Sequence, residues 1–421
     1  EQYIPELDPD SEPDPEAFFY KLLYKDDRDS WIVDDYDALI EMFQGVQLTT
    51  GMSASPGYIN DTDVISIIEY VTPGSPASEA GVERGDIIIS IDDTSLNGEN
   101  YFDLYYQTTA TYQFGRWNGS EVVATGEEVT LTAVELSQNP IVYSEVIDYE
   151  GSKVGYLVYT QFTKGQDNEW FDAVNDLFEE FSTAGVNEVV VDLRYNGGGN
   201  LDLSAHIAST LAPSSASQSN DVYIRLLWNQ AYNNYWKQAD LDSDGEPDGD
   251  ESSQLVISLP EPQVNLDLSR VYFLTTDGTA SASESLMVGL YPYMEVIQVG
   301  TATYGKCYGS VTIDDWEDPK RHNWAMQPIV LKYANALGFT DFVEGITPDY
   351  EVEDNLLIAS PFGSLNDPLL SKALEDISGV SPASKSAAVR AAPFRPLPEE
   401  RKPLPELTIP WPGEENPRVL Y

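Results

Sequence analysis

The stretch from Arg270 to Lys306 constrains the fold more than any other. RVYFLTTDG (270–278) is an apolar, β-branched and aromatic run closed by Asp-Gly, the pattern of a buried strand that ends in a sharp turn. TASASESLMVGLYPYMEVIQVGTATYGK (279–306) then predicts a helix, a second strand and a turn, with Ser281 at the helix start and Lys306 on the final turn. Upstream, NEVVVDLRYNGGGNL (187–201) repeats that grammar, as a continuous buried strand broken by Gly197, Gly198 and Gly199 before a further helix. SKVGYLVYTQF (152–162) predicts a strand, and Phe171, Val174, Leu177, Phe178 and Phe181 fall on one face of the helix after it. Strands and helices alternating at this spacing predict an α/β fold with a parallel sheet and crossover helices. Active sites in such sheets gather at the carboxyl ends of strands, where the glycine triple and Ser281 both lie.

A chain of 421 residues calls for several domains. Residues 1–48 divide into an acidic, proline-bearing leader (Glu1–Glu16) and two short amphipathic helices between Phe18 and Phe43, whose apolar faces are expected to pack on the next domain. Residues 49–136 change to short β-rich segments, and SPASEAGVERGDIIISIDD within them closely resembles the core pattern of bacterial PDZ domains. That resemblance implies a module that takes an extended peptide as an added strand, with a carboxylate-binding loop expected around Met52 to Asn60. Residues 137–380 carry the α/β core, interrupted by a hydrophilic insertion at 229–253, and 381–421 form a proline-rich tail expected to be extended or disordered. In the insertion, Asp240, Asp242, Asp244, Asp248 and Glu251 fall at the oxygen-ligand positions of a calcium loop, with Gly245 at its turn. Structural calcium and a solvated acidic loop are the two readings, and Pro247 stands where a β-branched core residue is usual.

The 22 Lys and Arg residues against 71 Asp and Glu give a net charge of −49, which repels phosphate backbones and argues against a nucleic-acid partner. The single cysteine, Cys307, excludes an intrachain disulfide framework. The leader suits an envelope protein, so a membrane tether through a missing N-terminal lipid anchor is expected.

A serine hydroxyl needs a base to become a nucleophile. Of the two histidines, His206 lies in the helix after the glycines and His322 in the charged turn KRHN. Lysine serves instead where burial disfavours its ammonium form. DLRYNGGGNL, TASASE and VGTATYGK, in this order, resemble the C-terminal-processing (tail-specific) serine peptidases, over roughly Phe18 to Ile377 and in the manner of a Bacteroidetes-like envelope member, in the periplasm or as an outer-membrane lipoprotein. The resemblance implies a PDZ domain ahead of a crotonase-like α/β core, polypeptide substrates, no required cofactor and a Ser/Lys dyad. Ser281 would be the nucleophile and Lys306 the general base, with the N–H groups of Ala282 and Gly198 as the oxyanion hole. Many members place a glutamine four residues after the lysine to orient it, whereas here Ser310 stands there. Three other readings are open: Ser283 as the nucleophile, a weak or inactive PDZ-containing peptide-binding scaffold, and a hydrolase assisted by His206. Cys307 reads as a small buried residue, and the pattern leaves the oligomeric state open.

Overall fold

The computed structural model describes residues 12–241, 243–315, 317, 319–382 and 394–397. The leader up to residue 11, Asp242, the Glu251 side chain and most of the tail lie outside the described residues.

Two helices open the described chain, Pro15–Leu22 and Tyr36–Phe43, each capped by an aspartate. Asp14 accepts from the Glu16 N–H at 3.1 Å and Asp35 from the Ala38 N–H at 3.1 Å, satisfying donors that helix geometry leaves unpaired. Between them the strand Trp31–Val33 pairs antiparallel with Ala325–Gln327, and Trp31, Leu39 and Ala325 form a small apolar cluster. The N-terminal segment therefore packs on the α/β core rather than only on the domain that follows it, because its short strand completes a sheet there.

The second region is a PDZ-like sheet of Met52–Tyr58, Val64–Val71, Ile87–Ile91, Thr109–Trp117 and Val122–Thr132, with short helices at Pro76–Glu79 and Tyr101–Tyr105. Its core includes Ile68, Ile88, Ile91, Tyr101 and Tyr112. The boundaries at 49 and 136 fall within a ribbon in which Val46–Thr49 pairs with Val134–Ser137. MSASPGY, expected as a binding loop, is an edge strand of the domain's own fold; the bend before it is Thr50 and Gly51. Proline and glycine argue against a central strand but are tolerated at an edge, which is where this strand lies.

The α/β core is a six-stranded sheet in the order Ile141–Tyr149, Ser152–Tyr159, Glu188–Asp192, Arg270–Thr275, Glu295–Gly300 and Tyr350–Glu351, with the first pair antiparallel and the others parallel. Alternate residues face opposite layers, as the two-residue period of a strand requires. Leu157, Val189, Val191, Val271 and Phe273 pack with the helices Glu169–Ala184, Leu201–Leu211 and Ala282–Leu290. Tyr156, Val190, Tyr272 and Leu274 pack with Pro368–Ser378. Val174, Leu177, Phe178 and Phe181 are the buried face of Glu169–Ala184, as their spacing predicts. Burying each such side chain is worth about 1.5–3 kcal/mol. A second sheet, Val256–Ser258, Val222–Trp228, Ile329–Asn335 and Tyr308–Ser310, covers the far side of the Ala282–Leu290 helix. Phe339 to Pro348, beyond the last of these strands, is turn and coil. Of the tail, Phe394–Leu397 is described, with Arg395–Pro396 as a strand on the PDZ-like sheet.

Candidate active site

Three segments meet at the carboxyl ends of the central strands. Glu188–Asp192 runs into Leu193–Gly199, Arg270–Thr275 into Thr276–Ser281, and Glu295–Gly300 into Thr301–Lys306. Short bonds stitch the first two together: the Thr279 hydroxyl donates to Leu193 O at 2.8 Å, the Ala280 N–H to Asn196 O at 3.1 Å, and the Ser283 hydroxyl to Asn196 O at 2.9 Å. Ser283 is thereby a brace between the helix start and the glycine loop, which argues against it as nucleophile.

Ser281 occupies the N-cap position but not as a cap. Its φ and ψ are 60° and −114°, a region that non-glycine residues enter at a cost of about 1–3 kcal/mol, and its Oγ is buried without a hydrogen-bond partner. An orphaned hydroxyl on a strained backbone turn suits a nucleophile held for attack better than a structural cap. At this helix start it is the Ser281 backbone N–H that is bonded, while the side chain is left without a partner.

That N–H donates to Glu284 Oε2 at 2.9 Å, and the Lys306 N–H donates to the same oxygen at 2.8 Å. Glu284 Oε1 takes the Gly305 N–H at 2.8 Å and the Thr303 hydroxyl at 2.6 Å. Glu284 is fully buried, and burial pushes its carboxyl above the usual glutamate range against the pull of these four donors. On the opposite side, the Tyr333 hydroxyl lies 3.0 Å from Ser281 O and 2.8 Å from Lys306 O. The backbones of the serine and the lysine are thus tied together at both their N–H and their C=O groups. Glu284 belongs to the TASASE motif, but nothing in its spacing marks it as the link to Lys306.

Lys306 is 1% exposed, not a surface lysine. Its turn is clamped from the N-terminal segment: Arg28 donates to Gly305 O and Val343 O, each at 3.1 Å, and lies over the Tyr304 ring. Gly305 must be glycine, since its φ is 89° and a Cβ there would meet Val343 O at 2.5 Å. Four residues on, Ser310 donates to Gln327 Oε1 at 3.1 Å, and the Gln327 amide donates to Thr312 Oγ1 at 2.6 Å. A glutamine absent from position 310 is present beside it from another strand.

Gly198 stacks directly on Ser281. A Cβ on it would lie 2.7 Å from the Ser281 Cβ, and its φ of 112° is closed to other residues. Its N–H donates to Asn196 Oδ1 at 2.9 Å, and Asn196 is anchored in turn on Tyr159 O. An oxyanion would have to take this amide from Asn196. Ala282, the other sequence-predicted donor, is the first residue of its helix, where N–H groups point out of the helix toward a developing negative charge.

The glycine loop is also fixed to the PDZ-like domain. Arg194 is fully buried and pairs with Asp192, Asp354 and Asp367 at 2.6, 3.1 and 3.0 Å. From the PDZ-like domain, Arg84 donates to both oxygens of Asp354 at 3.0 and 3.2 Å, to Glu69 O at 2.8 Å and to Ser360 O at 3.1 Å, and it also contacts the Tyr195 hydroxyl. Burial raises the Asp354 carboxyl, but Arg194 and Arg84 outweigh it and hold it below the usual aspartate range. Among the PDZ signature residues, the structure singles out Arg84 as the link to the loops at the carboxyl ends of the central strands.

His206 pairs with Asn175 Oδ1 at 2.7 Å and lies against Phe171, and burial, with Lys164, pushes its imidazole down. Its bonds hold it to the Glu169–Ala184 helix. Cys307 is buried, and burial pushes its thiol up. In the insertion, Asp240 accepts the N–H groups of Asp244 and Gly245 at 3.1 and 2.9 Å, and Asp248 accepts that of Leu241. Among the described residues no three acidic, histidine or cysteine side chains converge as a metal site, and none of the helices is long and apolar enough to cross a membrane.

Residues 153–352 match the model of peptidase family S41, and residues 67–106 match a PDZ domain. A carboxyl-terminal-processing protease of Synechocystis is 28% identical over 375 residues, which cover 83% of this chain and 75% of that one. Carboxyl-terminal-processing peptidase 2 of Arabidopsis chloroplasts is 29% identical over 272 residues, covering 61% of this chain but 45% of the relative. Among solved structures, a Bacteroides fragilis protein assigned to the S41 proteases superposes with a TM-score of 0.70 at 30% identity, over 87% of this chain and 91% of that one.

Proposed function

This chain belongs to peptidase family S41, a family of serine-type peptidases, and from that premise we propose that it cleaves extended polypeptides near their C-termini through an acyl-enzyme on Ser281. The observation that carries the reading is Ser281 on its strained turn, with its backbone tied to that of the buried Lys306 through Glu284 and Tyr333. In its neutral form Lys306 takes the proton from Ser281 Oγ as that oxygen attacks the scissile carbonyl. The Ala282 and Gly198 N–H groups hold the oxyanion, each such donor being worth about 3–4 kcal/mol in the transition state. Collapse breaks the C–N bond, the departing amine takes the proton from Lys306, and water then hydrolyses the acyl ester with Lys306 again as base. Ser310, four residues after Lys306 and bonded to Gln327, is assigned with it to positioning Lys306, the role a single glutamine fills in many members of the family.

Turnover of an unstructured polypeptide such as casein, lost in both Ser281→Ala and Lys306→Ala, is the expected result. Undiminished turnover in either variant would sink the dyad. No turnover by the unsubstituted chain, with peptide binding intact, would favour the scaffold reading instead.

Two subsidiary proposals accompany this one. The chain resides in the cell envelope through a lipid tether ahead of its acidic leader; membrane fractionation of the native protein tests it, and recovery in the cytosolic fraction would refute it. The Asp240–Glu251 loop takes a structural calcium ion, and calorimetry with no heat and no change in melting temperature on adding calcium would remove that idea.

A further inference from the structure

The PDZ-like sheet carries a strand that its own domain does not supply. Met52–Tyr58 would be its edge, but Arg395–Pro396 pairs antiparallel with it, Arg395 opposite Tyr58 and Pro396 opposite Gly57. The Leu397 N–H donates to Pro56 O at 2.9 Å. Phe394 and Leu397, three positions apart on an extended strand, serve opposite faces of the sheet. Leu397 is 5% exposed and joins the domain core of Met52, Leu96 and Tyr101, while Phe394 packs with Ile65, Ile67 and Leu357. The Arg395 guanidinium lies 5.0 Å over the Tyr58 ring.

A second observation comes from Gly57. Its φ is not in the left-handed region, so the backbone does not demand glycine; what a side chain would meet is the Phe394 ring at 2.5 Å and Arg395 O at 2.8 Å. The edge strand is shaped to admit this segment. Strand addition at a sheet edge is how PDZ domains hold peptides, yet the docked segment here is internal, since the chain continues to Tyr421. Pro396 offers no N–H, which blunts the outer side of the added strand against a further one.

We propose that Phe394–Leu397 is a tethered occupant of the PDZ peptide groove, that the groove selects internal segments of the form aromatic-x-Pro-Leu, and that an incoming polypeptide must displace the tail to bind there. A segment tethered in the same chain acts at an effective concentration on the order of millimolar, enough to mask a groove of ordinary micromolar affinity. The Phe394 cluster also contains Leu356 and Leu357, close in sequence to Asp354, the carboxylate shared by Arg84 and Arg194. Occupancy of the groove is thereby felt at the joint between the two domains.

The test uses the full chain carrying Ser281→Ala, so that binding is read without cleavage and stands apart from whether the protein is a peptidase. The probe is a fluorescent peptide of residues 391–400, AAPFRPLPEE, followed by anisotropy. Leu397→Asp in the chain's own tail, with its melting temperature unchanged, should raise affinity for the probe at least tenfold. Gly57→Ala added to that variant should abolish it. A probe ending in a free carboxyl at Leu397 should bind no more tightly than the longer one. Equal binding to the parent and to Leu397→Asp, binding to neither, or retention in Gly57→Ala would each overturn the proposal.

Discussion

The N–H groups of Ser281 and Lys306 donate to one atom, Glu284 Oε2, at 2.9 and 2.8 Å. Ser281 and Lys306 are 25 positions apart in sequence, yet their backbones share an acceptor in a sealed interior. Replacing Glu284 by glutamine puts an amide NH2 donor where two other donors converge. Glu284→Gln should lower kcat at least tenfold with KM little changed, and cost about 1–3 kcal/mol in urea denaturation for the buried donors left unpaired. A variant with full kcat would show that the shared oxygen is structural only.

Gly198→Ala forces a Cβ to within 2.7 Å of the Ser281 Cβ at a φ of 112°. Activity should vanish and the melting temperature should fall, since strain of this kind costs about 1–3 kcal/mol before any clash is counted. Gly199→Ala, which meets Phe162 O at 2.4 Å, should match it in stability loss.

Gln327→Leu removes the amide that Ser310 contacts while preserving bulk. If the pair positions Lys306, kcat falls about tenfold, KM holds, and the pH profile of kcat shifts, a readout that a loss of packing alone does not move. Ser310→Ala in the same background should add little, because the two residues act as one unit.

Arg84→Ala strips Asp354 of one of its two guanidinium partners and the PDZ-like domain of its main polar tie to the core. Breaking a buried ion pair from one side costs about 3–5 kcal/mol. Limited proteolysis should release the PDZ-like domain faster, and kcat should fall through the neighbouring Tyr195–Gly199 loop.

Asp354 also sets an acid limit. Its carboxyl is held below its ordinary range in the folded chain, so its contribution is fully present above the unfolded value of about 4 and is lost as pH falls through the lower folded value. Urea midpoints measured from pH 7 to pH 2 should drop most steeply below pH 4, and Asp354→Asn should flatten that limb.

Local patterns carried much of the fold. The one-face apolar stripe from Val174 to Phe181 and the strand runs at 187–192 and 270–275 are where periodicity places them. Ser281 and Lys306 were legible through a family resemblance rather than through their own chemistry. Glu284, Tyr333 and Gln327 were not legible, because each acts on residues of another segment and only the tertiary fold joins them. The Arg84–Asp354–Arg194 network spans separations of 160 and 270 residues, beyond any local signal. MSASPGY and FRPL look like loop and tail for the same reason: proline and glycine lower their strand propensity, and pairing with Val64–Val71 in the first case, and with Gly57 and Tyr58 in the second, makes strand of them.

The lysine turn is completed by Arg28, which binds Gly305 O and Val343 O from the far N-terminal end of the described chain. A nascent chain holds Arg28 long before it holds Val343, so the turn cannot close until nearly the whole core has been synthesised and has folded back on its beginning. The clamp makes the lysine turn one of the last features that synthesis can complete, since it joins the beginning of the described chain to a loop 315 residues later.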